Sequence, residues 1–235
     1  MLNLSKRAFL QTAGFGTLTT LLAPVMNAGA LQTTAAPAAP AASPINGDEA
    51  LAKLIEGNRR HLSGEFTITQ RLAERRQQVA KAQHPFAAIL GCSDSRLPPE
   101  IVFDHSLGDL FVVRVAGNIV DMDVLASLEF AATQFGTPLI LVLGHARCGA
   151  VAAALSEAKV PGHIVSLVDA IKPAVAMSKG QPGDPLDNAI RANIRHTVED
   201  LKTSQPILGD LVKAGTLKVV GALYSLDTGK VEIVA

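Results

Sequence analysis

The run Phe86-Ala87-Ala88-Ile89-Leu90-Gly91-Cys92-Ser93-Asp94-Ser95-Arg96 places a strand and a set of reactive side chains end to end. Its first six residues are apolar without polar alternation, as expected of a strand buried on both faces of a parallel sheet. Two further runs, Leu110 to Val115 and Leu139 to Gly144, have the same character, and the second leads directly into His145-Ala146-Arg147-Cys148. Helical spacing fills Val124 to Phe135 between them and Ala150 to Glu157 after them. Strands alternating with helices predict an α/β fold around a central, mostly parallel sheet flanked by helices.

Working outward, Ala50, Leu51, Leu54 and Ile55 recur at helical spacing behind a candidate cap at Asp48, and Thr69 to Lys81 reads as a second leading helix. Toward the C-terminus, Asn188 to Leu201 and Pro206 to Ala214 read as helices. Leu217 to Tyr224 and Lys230 to Val234 flank Asp227-Thr228-Gly229, which predicts a terminal hairpin adding antiparallel strands to the sheet.

Residues 1–30 have the marks of an export signal: Lys6 and Arg7, an apolar stretch through Leu21-Leu22-Ala23, and the small residues Ala28-Gly29-Ala30. The run Ser5 to Gln11 resembles a twin-arginine signal with Lys6 in place of the first arginine, so both that route and the general secretory route fit. The chain is expected in the bacterial periplasm, with no stable membrane anchor once the leader is cleaved. Residues 31–46 are mostly Ala, Pro, Thr and Ser and read as a linker, leaving residues 47–235 as the catalytic domain.

Hydrophobic residues make up 48% of the chain and charged residues 18%, enough apolar material for one core. The 21 basic and 21 acidic side chains form no basic field of the kind that nucleic acid requires, so the expected substrate is a small molecule.

Cys92, Asp94 and Arg96 follow one strand, while His145 and Cys148 follow another, the edge where parallel sheets place their sites. Two thiolates and an imidazole suit tetrahedral zinc, and three protein ligands leave a fourth position for water or a carboxylate. Two cysteines in an exported chain also suit a disulfide. A bridge requires neither His145 three residues before Cys148 nor Asp94 and Arg96 alternating with Cys92, which favours the metal.

The ordered motifs C-x-D-x-R (Cys92–Arg96), G-D-x-F-V-x-R (Gly108–Arg114), A-G-N (Ala116–Asn118) and G-H-x-x-C-G (Gly144–Gly149) resemble those of the β-class carbonic anhydrases. The resemblance implies zinc held by Cys92, His145 and Cys148, with Asp94 and Arg96 as a dyad orienting the zinc-activated water. It also implies Asp94 as a fourth ligand in a closed state, and Gln83 and Gly149 lining the substrate pocket. The implied reaction is reversible hydration of carbon dioxide to bicarbonate and a proton, in a homodimer or homotetramer whose pockets are lined from both subunits. Hydrolysis of carbonyl sulfide or carbon disulfide uses the same metal shell, and a non-catalytic zinc-stabilised binding module is the alternative outside enzymes. Many relatives read R-N-x-x-N where this chain has Arg114-Val115-Ala116-Gly117-Asn118, so no asparagine side chain is available at Val115.

Overall fold

A computed structural model describes residues 43–157 and 159–235. The expected leader at 1–30 and most of the expected linker lie outside the described residues. No described helix is long and apolar enough to cross a membrane.

The sheet has five strands, β1 (Ala87–Gly91), β2 (Leu110–Arg114), β3 (Leu139–His145), β4 (Lys218–Tyr224) and β5 (Val231–Ile233), in the order β2-β1-β3-β4-β5. The first four run parallel and β5 pairs antiparallel with β4, which is the architecture that the sequence predicts. Every residue of β1 and β3 is buried, matching their unalternating apolar runs.

Eight helices complete the described fold: α1 (Gly47–Ser63), α2 (Leu72–Val79), α3 (Pro99–Val102), α4 (Met122–Gln134), α5 (Gly149–Leu155), α6 (Ile164–Ser178), α7 (Pro185–Thr203) and α8 (Leu208–Lys213). A 3-10 turn spans Ala116–Asn118. The cap of α1 is Asn46 and not Asp48. The Asn46 side chain accepts from the backbone N–H of Asp48 and Glu49, while the Glu49 carboxylate accepts from the Asn46 N–H at 2.8 Å. Helix α6 has no counterpart in the sequence reading; it carries Pro173 in its interior, and the buried Val168, Ile171, Ala174 and Val175 offset the cost of a proline there.

Two glycines set the distance between α7 and the sheet. A Cβ on Gly144 would lie 2.6 Å from Ile194 Cδ1, and one on Gly221 would lie 2.5 Å from Ile194 Cγ2. Helix α7 can therefore lie directly on β3 and β4, with the fully buried Ile194 filling the space that two side chains would otherwise take.

Helix α1 is anchored by buried Asn58, whose Nδ2 donates to the carbonyls of Val102 and Gly229 and whose Oδ1 accepts from the Val231 N–H. Immediately before it, Gly57 lies so close to the chain after α3 that a Cβ there would fall 1.7 Å from the Phe103 carbonyl oxygen. Helix propensity alone favours alanine over glycine by about 1 kcal/mol. A backbone clash of this size should outweigh that gain, so Gly57→Ala is expected to destabilise the fold by roughly 2 kcal/mol. Urea denaturation measures the sign, and an unchanged or raised midpoint would mean that α1 does not pack as described.

Candidate metal centre

The strand order places the site. From β1 the chain passes to β2 on one side and returns through α4 to β3 on the other, so the C-terminal ends of β1 and β3 border a crevice at the reversal. Their register sets Gly91 opposite Leu143. Cys92 follows immediately on one strand, and His145 ends the other.

Beyond His145 the chain turns sharply. The Ala146 N–H donates to the Tyr224 carbonyl at 2.9 Å, Arg147 adopts a left-handed conformation at φ 56°, and Cys148 directly precedes α5. Cys148 is thereby swung back toward Cys92. The ligand atoms of Cys92, His145 and Cys148 all lie within 4.8 Å of one another, and all three residues are buried. Both cysteines are free thiols, so the disulfide considered from composition is not formed.

Each donor is oriented by the surrounding backbone. His145 Nδ1 lies 2.9 Å from the Ala146 carbonyl, which assigns the proton to Nδ1 and leaves a lone pair on Nε2. That Nε2 is fully buried and has no hydrogen-bond partner. An orphaned buried acceptor facing two thiols is unfavourable in an apolar core but suits a cation, so the residues present fit zinc. Cys92 Sγ accepts the Gly117 N–H at 3.3 Å. The neighbouring Cys148 thiol, with the His145 imidazole and the Gly117 N–H, pulls the Cys92 thiol well below the usual thiol range against the opposing effect of burial. Cys148, as the donor of that pair, moves upward. For His145, burial is the largest influence and lowers its pKa, but interactions led by Cys92 outweigh it and the net shift is upward.

Asp94 and Arg96 lie at the mouth of this cluster. Arg96 grips both carboxylate oxygens, Nε to Oδ1 at 2.9 Å and Nη2 to Oδ2 at 2.7 Å, and its backbone N–H adds a third bond to Oδ1 at 3.0 Å. The guanidinium holds the Asp94 carboxyl well below the usual carboxylate range. Oδ2 also lies 3.8 Å from His145 Nε2, so one carboxylate oxygen faces both the arginine and the donor cluster.

Other residues that the sequence reading left without a role hold this arrangement. Arg114, at the end of β2, donates to the carbonyl of Cys92 at 3.0 Å and to that of Asp94 at 2.5 Å, fixing the loop that carries both. The only earlier signal was its place in the G-D-x-F-V-x-R motif. Arg147 forms a bidentate pair with Asp227 at 2.7 and 3.0 Å, tying the turn between His145 and Cys148 to the β4–β5 connection. Both members of that pair are exposed, so its direct contribution to stability is small.

The two expected pocket residues fall in different places. Gly149 is the first residue of α5, directly after Cys148, and a Cβ there would meet nothing within 4 Å. Gln83 precedes the N-terminal end of β1, whereas Cys92 follows its C-terminal end, so the strand's length of roughly 16 Å separates them. Gln83 is exposed, in a groove with Arg76, Val79, Leu107, Gly108 and Phe135. Within one chain it does not join the metal cluster.

Comparison with known proteins places this geometry in context. A family model described as "Carbonic anhydrase" matches residues 87–231. A carbonic anhydrase of Mycolicibacterium smegmatis is 39% identical over 184 residues, covering 77% of this chain and 89% of that protein. The β-carbonic anhydrase of Coccomyxa, solved in complex with acetazolamide, superimposes with a TM-score of 0.64 at 28% identity, covering 78% of this chain and 85% of that one. A tetrameric β-carbonic anhydrase of Sordaria macrospora gives a TM-score of 0.62 at 23% identity, over 69% of this chain and 90% of the other, a likeness of fold.

Proposed function

The chain belongs to the β-class carbonic anhydrases, and on that premise we propose that it hydrates carbon dioxide reversibly, with Cys92, His145 and Cys148 holding zinc and the Asp94–Arg96 pair orienting the attacking water. Zinc, when bound, supplies the Lewis acidity that brings the pKa of a water toward neutrality. The remaining steps fall to the chain's own residues.

The observation that carries this reading is the double engagement of the Asp94 carboxylate. Arg96 keeps it ionised and fixes its plane, while Oδ2 stands 3.8 Å from His145 Nε2, at the edge of the donor cluster. A water at the cluster is therefore offered one strong acceptor in one direction. Giving its hydrogen to Asp94 leaves its lone pair aimed elsewhere, toward the carbon of a substrate molecule. With both oxygens occupied by Arg96, Asp94 is also held back from the donors. A closed state with Asp94 as fourth ligand through Oδ2 requires giving up at least the bond from Arg96 Nη2.

We further propose a homodimer in which Gln83 serves the partner's site. Its separation from its own Cys92 by the length of β1 supports this reading, because a second copy related by a two-fold axis can present the groove around Gln83 to the opposite crevice. Gly149, with open space beside its Cα, would leave room for carbon dioxide to approach.

Stopped-flow hydration tests both parts. Asp94→Asn, which keeps the shape but weakens the acceptor, is expected to lower kcat/KM by about 100-fold or more with zinc content unchanged. Activity within a few-fold of wild type would contradict the role of the carboxylate. For the shared pocket, Gln83→Ala and Asp94→Asn chains are each expected to be impaired alone. When mixed and reassembled they should regain about a quarter of wild-type activity, since about half of the dimers are mixed and each of these has one complete site. A mixture no better than the mean of its parents would place Gln83 outside the partner's pocket.

A further inference from the structure

We infer that Asn193, on α7, is a positioning residue for the metal ligand Cys92, acting through the backbone of Gly117. Asn193 is 2% exposed and donates from Nδ2 to the Gly117 carbonyl at 2.8 Å. The N–H of the same glycine donates to Cys92 Sγ at 3.3 Å. Four residues along the same helix face, buried Thr197 donates to the Asn118 carbonyl at 3.4 Å. Two polar side chains, on a helix face otherwise formed by Ile190, Ile194, Val198 and Leu201, thus grip consecutive carbonyls of the 3-10 turn.

That grip matters because Gly117 is the residue most able to rotate. It sits at φ 78°, where other residues are strained, and a Cβ there would also come within 2.7 Å of Ile171 Cδ1. Glycine is therefore required, and glycine by itself does not fix its own dihedral angles. Pinning its carbonyl holds ψ. With the turn held, the amide on the other side of the Cα remains aimed at the sulfur.

The helix that carries the grip is itself fixed, since Gly144 and Gly221 allow Ile194 to seat directly on β3 and β4. Without Asn193 the buried Gly117 carbonyl would lose its donor and rotate in search of another, taking the amide away from Cys92. An N–H···S bond stabilises the thiolate lone pairs and holds the ligand in place, and outer partners of this kind typically change metal affinity about 10- to 100-fold when removed.

The inference rests on Cys92 being a ligand in the proposed centre, and cobalt-substituted protein separates the two. A wild-type protein whose Co(II) form lacks a thiolate-to-metal charge-transfer band would fail the ligand assignment itself. Given that band, Asn193→Leu, which keeps the volume but removes the donor, is expected to shift it to lower energy. Zinc affinity measured against a chromogenic chelator is expected to fall by about 10-fold or more. Asn193→Ser is expected to shift both in the same direction, and it serves as the readout if the leucine variant does not fold. Thr197→Val, which releases only the neighbouring carbonyl, is expected to leave the band where it is. An unmoved band and unchanged affinity in a folded Asn193 variant would overturn the inference. An equal shift in Thr197→Val would also overturn it, since the effect would then be a general loosening of the turn.

Discussion

The parallel pairing of β1 with β3, in the register that sets Gly91 against Leu143, is the constraint on which the rest of the molecule depends. These strands are distant in sequence, yet the pairing brings one cysteine and one histidine to adjacent strand ends. The left-handed turn at Arg147 then returns Cys148 to the same point. A slip of one residue would exchange the side chains that β3 packs on the two faces of the sheet and would separate the donors. The apolar strands that make the core therefore also select the geometry of the metal site.

Such a site has an electrostatic cost, because two sulfurs and a carboxylate that attract a cation also repel one another in a poorly solvated crevice. The surrounding structure offsets this with donors drawn from several elements. Arg114 on β2 donates to two carbonyls of the loop carrying Cys92 and Asp94, Gly117 offers its amide to Cys92, and Arg96 neutralises Asp94. The close seating of α7 over two glycines carries this support into the helical layer.

Much of this was legible in the sequence. The apolar runs reveal the strands because burial on both faces leaves no alternation, and the donors follow because parallel-sheet sites lie just after strands. What was not legible depends on proximity that no local pattern encodes. Helix α6 carries Pro173 in its interior, a local cost that its packing overrides. Gln83 lies at the opposite end of β1 from Cys92, because a match in motif spacing does not by itself bring a side chain to the site. Asn193 and Thr197 did leave a trace, as polar residues at helical spacing on the apolar face of α7. Their partners could be found only once the 3-10 turn was seen beside them.

The central claim is that three side chains from two strand ends form one zinc site with a position left over for water. X-ray absorption at the zinc edge of the loaded protein tests it most directly. The account requires two sulfur scatterers at about 2.3 Å, with one imidazole nitrogen and one further light atom at roughly 2.0–2.1 Å. A shell without two sulfurs, or with a second imidazole in place of the light atom, would contradict it.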